Sequence, residues 1–303
     1  MKKISIVLLL ACSFLGIAQE RPEMNELPPL EEGLGIPVIN RIPAIATDRP
    51  DFSESARIVP TGWLQYEGGY QYAHSEERLS ATEITDVHQF EEVLRFGVNH
   101  RFEARAIINA NTRRVDLQNN WNTPTRLTGV SPITIGFKYN LLEETDWRPH
   151  VTWKSHLILP WIAGGDYRVP TQGNLAFHQQ RILLEKRLTH YLSLASNIGV
   201  SGGMTGSNGF INEGLFSLAA GLDLGNDYGM YVEYFTTAKV AGVQFLSSPF
   251  FDGGFTKLLS NDLQLDIYAG IDLSPYVGSR RNTSGFFFGT GVSYRLPLAA
   301  YLN

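Results

Sequence analysis

The chain has 303 residues, and its 30 acidic and 25 basic side chains give a formal net charge of -5 at pH 7. Nucleic-acid binding calls for the opposite sign, so we expect no nucleic-acid partner. Aromatic residues make up 12% of the chain, and glycine occurs 29 times. Mean hydropathy is slightly negative. Together these values fit a β-barrel wall with one apolar and one polar face.

The first eighteen residues have the pattern of a secretory signal peptide. Lys2 and Lys3 precede an apolar run over residues 4–11, and small residues follow at positions 16–18. The run is shorter than the roughly 20 apolar residues that a spanning helix needs. We therefore predict that residues 1–18 direct export and are removed.

Cys12 is the only cysteine, and it lies inside this predicted signal peptide. Its surroundings loosely resemble a lipoprotein box, so lipidation of Cys12 remains an alternative to its removal. Without Cys12 the exported chain has no thiol for a disulfide, a nucleophile or a metal site. His150 and His156 share a strand face but stand about 20 Å apart. We accordingly expect no cofactor and no bound metal.

Residues 19–60 are predicted to form a periplasmic N-terminal tail. Proline and glutamate are frequent up to residue 46, which is typical of extended or disordered segments. An Asp-Arg-Pro-Asp motif follows, directly before the first predicted strand. We hypothesise that its charged members, Asp48, Arg49 and Asp51, enter the periplasmic mouth and pair with lumen charges as a plug or a latch. A solvated leader is the alternative.

From Thr61 to the end of the chain the sequence alternates with period two, which predicts strands with two different faces. We count about twelve strands of roughly 10 to 13 residues, a length that suits a tilted strand crossing a bilayer. Residues 61–303 are therefore predicted to be all-β, an antiparallel up-and-down transmembrane β-barrel. Its inward face has charges of both signs. The residues expected to line the lumen are Glu67, Glu91, Arg95, Glu103, Arg105, Lys138, Lys154, Arg181, Glu233 and Asp266.

The connections between the strands alternate in length. Tight turns rich in Asn, Asp and Thr occur near residues 98–101, 188–190, 225–227 and 260–262. Longer loops are expected between them, for example at 74–87 and 111–129. Short turns on one side and long loops on the other are typical of outer-membrane barrels. A soluble β-sandwich is the alternative, but it has shorter strands and does not place charges in the middle of them.

Two consecutive segments resemble a known family. Residues 47–55 read Thr-Asp-Arg-Pro-Asp-Phe-Ser-Glu-Ser, and residues 60–69 read Pro-Thr-Gly-Trp-Leu-Gln-Tyr-Glu-Gly-Gly. They are similar to the start of the outer-membrane family named for a meta-pathway of phenol degradation, whose members are often described as transporters. Weaker similarities continue to about residue 295. The resemblance implies a barrel in the outer membrane of a Gram-negative-type cell.

These features predict a barrel that offers small solutes a narrow, charge-lined path. A plugged structural barrel without transport is the main alternative. Within the lumen, we expect a basic wall of Arg95, Arg105 and Arg181 to face Glu67, Glu233 and Asp266. The expected partners are outer-membrane lipid, an unknown small solute and the barrel-assembly machinery.

An outer-membrane hydrolase is a weaker alternative. The serine and histidine residues that adjoin in the sequence, at positions 74–75 and 155–156, occupy opposite faces of their strands, which argues against a catalytic dyad. Asp86 and His88 share a face near a loop, and a solvated rim accounts for them. We therefore expect no enzymatic activity.

Overall fold

A computed structural model describes residues 43–50, 52–78, 81–118, 124–168, 177–204, 210–241, 244–274 and 283–298. The chain divides into two units, residues 1–41 and 42–303, and the described residues belong to the second. Within these ranges, no helix has the length and apolar character needed to cross a membrane.

The described chain forms fourteen β-strands. They are β1 (Trp63–Arg78), β2 (Thr82–Asn99), β3 (Phe102–Gln118), β4 (Thr125–Val130), β5 (Ile133–Leu142), β6 (His150–Leu159), β7 (Gly164–Gly165), β8 (Phe177–Arg187), β9 (Leu192–Met204), β10 (Phe210–Gly225), β11 (Tyr228–Ala241), β12 (Gln244–Ser260), β13 (Leu263–Asp272) and β14 (Thr283–Pro297).

Twelve of these strands close into an antiparallel barrel. Sequential neighbours pair around the ring, with β3 joining β5 and β6 joining β8. The pairing of β1 with β14 closes the sheet. Closure leaves no unpaired edge, as a sheet in lipid requires. The predicted all-β transmembrane barrel of about twelve strands is confirmed, and the single closed sheet excludes a two-sheet sandwich.

The other two strands extend one side of the wall. β4 pairs with the far part of β3, and β7 pairs with β4. The predicted loops at 74–87 and 111–129 are largely strand, because β1, β2 and β3 continue into them. Outward polar residues such as Asp86 and Thr112 interrupt the apolar alternation there. Backbone pairing persists nonetheless, so the sequence pattern ends before the strands do.

The two faces of the wall have opposite chemistry. Large apolar side chains are exposed on the outside, including Phe90, Leu94, Ile135, Leu157 and Ile267. The fully buried side chains inside are mostly polar or charged, including Gln65, Glu67, Arg95, Glu103, Lys138, Lys154 and Glu233. This arrangement is the reverse of a soluble domain and is what a barrel facing lipid needs.

Tight turns gather at one end of the barrel, as predicted. The turn between β10 and β11 contains Gly225, Asn226 and Asp227, all with positive φ, of 77°, 52° and 64°. Glycine, asparagine and aspartate adopt this left-handed conformation most readily. We call this the short-turn end, and it corresponds to the periplasmic end of outer-membrane barrels.

Candidate functional site: the occupied lumen

Residues 43–50 and 52–60 form a segment that lies inside the barrel from Ile45 onward, and we call it the lumenal segment. It enters beside the turn between β12 and β13, where the Ile45 N–H donates to the Asn261 carbonyl at 2.7 Å. It leaves beside the β2–β3 turn, where Thr61 bridges to β2. Both ends therefore lie at the short-turn end. The described part of the expected periplasmic tail is thus enclosed by the wall, whereas residues 19–42 lie outside the described residues.

Asp48 is bound on several sides by the wall. Its carboxylate lies 2.6 Å from the Lys138 Nζ, 2.8 Å from an Arg105 nitrogen and 3.5 Å from an Arg95 nitrogen. Its N–H donates to the Glu67 carboxylate at 3.0 Å. Burial by itself would raise the pKa of Asp48. The attraction of Arg95, Lys138 and Arg105 outweighs that effect and holds the pKa below its ordinary value.

Glu54 forms a second charged centre, which sequence analysis missed. Its carboxylate contacts the Lys154 ammonium and lies 2.8 Å from Arg105, 3.4 Å from Arg181 and 3.9 Å from Lys138. Burial again opposes ionisation, but Lys154, Arg105 and Arg181 keep the pKa of Glu54 well below its ordinary value. This one carboxylate therefore joins the lumenal segment to the side of the wall formed by β3, β5, β6 and β8.

Arg49 fixes the segment to the opposite part of the wall. Its guanidinium pairs with Asp266 at 3.3 Å and donates to the Thr290 carbonyl at 3.3 Å. It packs directly against the backbone at Gly69 and Gly291, where a Cβ atom at either position would overlap it. The two glycines therefore create the space that the guanidinium occupies.

Arg95 joins both ends of the lumenal segment to the wall. It donates to Glu67 at 2.7 Å and to Glu103 at 2.9 Å, and its side chain is fully buried. It also donates to the carbonyl oxygens of Ala46 and Arg57, each at 3.1 Å. The expected basic wall facing Glu67 is wrong in this respect. Because β1 and β2 are neighbouring strands, Arg95 pairs with Glu67 directly rather than across the lumen.

The last part of the lumenal segment returns along acidic side chains. Arg57 pairs with Glu185 at 2.7 Å and with Glu144 at 3.1 Å. The Val59 N–H donates to Glu103 at 2.9 Å. The segment has no regular backbone pairing here, so Glu103 and Glu185 accept the Val59 and Ala56 N–H groups, which would otherwise be buried without a partner.

A further contact of the lumenal segment is with β10 and β11. The Phe52 N–H donates to the Glu233 carboxylate at 2.6 Å, and the Ser53 hydroxyl also donates to it. The Ser53 and Ser217 hydroxyl oxygens are 2.7 Å apart. The Phe52 ring stacks on Phe235 with their centroids 4.4 Å apart. Phe235 stacks in turn on Phe250, so aromatic rings cover this contact.

A cavity of about 620 Å³ opens at the short-turn end, between the lumenal segment and the wall from β8 to β13. A narrower recess of about 140 Å³ adjoins this cavity, and Glu185, Ser193, Gly221 and Tyr231 line both. The recess extends to Ser53 of the lumenal segment. The interior is therefore closely packed on one side of the segment and open on the other.

Eight of the ten residues expected to line the lumen are almost completely buried inside the barrel, while Glu91 and Arg181 are mostly buried. Asp48 and Arg49 contact this set directly, and Asp51 lies outside the described residues. Six further residues take part that the sequence pattern did not indicate: Phe52, Ser53, Glu54, Arg57, Ser217 and Asp252. Four of these belong to the irregular lumenal segment, where no period indicates which side chains face the wall.

Ser155 and His156 diverge as predicted. His156 is buried inside, whereas Ser155 accepts a hydrogen bond from Gln180 on the outer surface. Asp86 contacts His74 at 2.9 Å on the outer face of β1 and β2. Among the described residues, no three His, Cys, Asp or Glu side chains are grouped to hold a metal ion.

The closed sheet, apolar exterior and charged interior define an outer-membrane-type β-barrel whose lumen is occupied by its own N-terminal segment. The sequence profile of the family described as "Putative MetA-pathway of phenol degradation" matches residues 47–296. The chain belongs to this family, which confirms the resemblance found in residues 47–55 and 60–69.

Solved structures share the fold. An outer-membrane channel from Pseudomonas putida F1 is 12% identical, with a TM-score of 0.59 over 80% of this chain and 98% of that one. The translocator domain of the autotransporter NalP from Neisseria meningitidis is 9% identical, with a TM-score of 0.53 over 78% and 90%. No curated protein sequence matches the chain.

Proposed function

We propose that this protein is an outer-membrane channel for small solutes, with a narrow, charge-lined path that the lumenal segment closes at rest. The observation that carries the proposal is the pairing of Asp48 and Glu54, both on the lumenal segment, with basic side chains of five different strands. A non-covalent closure of this kind is reversible.

The size of the barrel supports transport. A barrel of about eight strands is filled by its own side chains, whereas one of about sixteen leaves an aqueous channel. Twelve strands give an intermediate lumen, and here a separate segment fills much of it. The cavity of about 620 Å³ beside that segment provides access from the short-turn end. The similar barrel from Pseudomonas putida F1 is itself described as an outer-membrane channel.

The charged interior supports passage of polar solutes. A buried charge needs water or a partner. If the lumenal segment moved away, Arg95, Arg105, Lys138, Lys154 and Arg181 would face the lumen and become solvated. The same groups then form a hydrophilic path instead of an ion-paired interior. The apolar exterior contacts outer-membrane lipid in this proposal, and export by the signal peptide precedes assembly.

A structural barrel without transport is the second candidate. The dense pairing of Asp48, Glu54 and Arg95 favours it, because a permanently closed lumen also requires complete pairing of its charges. The two candidates differ in one respect. A channel exchanges this pairing for water, whereas a structural barrel does not.

Single-channel recording in a planar bilayer tests the proposal. The wild-type protein should give discrete conductance steps, and deletion of residues 47–55 should enlarge the steps or make them more frequent. A shift in mobility between unboiled and boiled samples confirms that each variant is a folded barrel. Folded protein that stays silent with and without residues 47–55 would refute transport and favour the structural barrel.

A further inference from the structure

The lumenal segment is held unequally around the barrel. Its ion pairs reach β2, β3, β5, β6, β8 and β13. The inward positions of β9 and β10 that border the recess are small instead: Ser193, Ala195, Ser217, Ala219 and Gly221. Farther along β9, Asn197 donates to the Glu54 carbonyl at 3.3 Å. The small side chains leave free space beside β9, β10 and β11, and the cavity and its recess extend into that space.

Contacts between the lumenal segment and the wall border the recess. Ser53 lines it on the segment side and bonds to Ser217 and Glu233 of the wall. Tyr231 lines it on the wall side, and its hydroxyl donates to Asp252 at 3.3 Å. Two side chains that line the recess are therefore each hydrogen-bonded to an acid of the wall, Ser53 to Glu233 and Tyr231 to Asp252.

These two acids are cross-strand partners in the β11–β12 register, and both point inward. Asp252 is 3% exposed, and its Oδ1 accepts no hydrogen bond from any donor in the described part of the chain. Within the same part, no basic side chain forms an ion pair with either acid. Arg181 attracts Glu233 from a distance, but it is paired with Glu54 and lies over the Phe52 ring.

The balance of charge therefore differs on the two sides of the lumenal segment. On the packed side, the basic groups Arg95, Arg105, Lys138 and Lys154 are neutralised by acids. On the open side, Glu233 and Asp252 are neighbours without a basic partner in contact. Two adjacent carboxyl groups without a basic partner favour an arriving cation, which supplies the missing positive charge, and disfavour an anion.

We propose that solutes pass between the lumenal segment and the β9–β11 wall, and that Glu233 and Asp252 make this path selective for small cations. The inference rests on the proposed channel function. The contact that closes this path is formed by Phe52 and Ser53 of the lumenal segment and by Ser217 of β10. The path therefore opens when that part of the segment separates from β10 and β11.

Ion selectivity tests the role of the acids. In a KCl gradient, the reversal potential of the wild-type channel should indicate preference for K⁺ over Cl⁻. The Glu233→Gln and Asp252→Asn double variant should lose most of that preference. Glu91→Gln is the matched control, because Glu91 is an inward acid on β2, on the other side of the barrel. An equal loss in both variants, or none in the double variant, would overturn the proposal.

Chemical labelling tests the path without requiring conduction. In a Cys12→Ser background, Ala195→Cys places a thiol in the recess. Ser293→Cys is the control, since Ser293 is inward but completely buried beside Glu67 on the packed side. A trimethylammonium methanethiosulfonate should label the cysteine at 195 faster than a sulfonate reagent does, and should leave the cysteine at 293 unmodified.

The two experiments separate the possible failures. If every variant is electrically silent but the cysteine at 195 is labelled with a cationic preference, the channel function fails and the cation-accessible path stands. If the barrel conducts but the anionic reagent labels 195 as fast as the cationic one, the channel function stands and the selective path is refuted. Labelling at 293 in preference to 195 would place the path on the other side.

Discussion

Replacing Glu54 with glutamine tests how strongly the lumenal segment is held. Glutamine keeps the shape of the side chain and removes its charge, leaving Lys154, Arg105 and Arg181 around a neutral group. Removing one partner from a buried ion pair typically costs about 3–5 kcal/mol, because the remaining charge is left without compensation. The Glu54 side chain is only 14% exposed, so solvent screens these cations weakly.

That cost applies to the closed state and largely disappears when the segment leaves, because the cations then contact water. A tenfold change in an equilibrium corresponds to about 1.4 kcal/mol. Glu54→Gln should therefore favour the open state by roughly two to three and a half orders of magnitude, and single-channel recording should show a large rise in open probability.

Asp116→Asn is the control, since it also removes one negative charge. Asp116 pairs with Arg114 at 3.7 Å on the exposed end of β3, where an ion pair contributes about 1 kcal/mol or less. It should leave the open probability nearly unchanged. Adding Lys154→Gln to Glu54→Gln should partly restore closure, because it removes one uncompensated cation. If the Glu54 variant behaves like the Asp116 variant, these ion pairs do not hold the segment closed.

Three further predictions concern the same contacts. The closed state lowers the pKa values of Asp48 and Glu54 from 3.8 and 4.5, so the contribution of these carboxylates to closure should be fully present above those values and be lost only as the pH falls below them. Open probability recorded from pH 7 to pH 3 should therefore rise only at the acidic end. A rise near pH 6 would contradict this prediction. Gly291→Ala should displace the Arg49 guanidinium from Asp266 and raise open probability. Gly214→Ala is the control and should leave open probability unchanged, because its Cβ would meet only one atom, at 3.8 Å. Equal effects of the two variants would refute the packing argument. Arg95→Met should lower the temperature at which the barrel unfolds on a gel, because the Glu67 and Glu103 charges lose their shared partner; an unchanged transition would show that Arg95 is not structurally required.

The strand faces were predictable because period-two alternation links each side chain to one of two environments. Glu67 and Leu94 could be assigned to opposite faces from their positions alone. The ends of β1 to β3 were not predictable in this way. Outside the bilayer the outer face tolerates polar residues such as His74 and Asp86, so the alternation fades while the strands continue.

The contacts of the lumenal segment were only partly predictable. The charged motif directly before the first strand led to the hypothesis that Asp48 and Arg49 pair with lumen charges, and both contact the wall. Glu54 was missed although it is six residues beyond Asp48, since an irregular segment has no period that relates sequence position to direction. The pairing of Arg95 with Glu67 depends on which strands adjoin, which alternation within one strand does not specify.

The central claim is that conduction requires the lumenal segment to separate from β10. In a Cys12→Ser background, Ser53→Cys with Ser217→Cys places two thiols where the hydroxyl oxygens are now 2.7 Å apart, close enough for a disulfide with little movement. Conductance of this variant should be suppressed under oxidising conditions and recover when a reductant is added, while either single variant should be unaffected by reductant. Equal conductance with the disulfide formed and reduced would contradict the account.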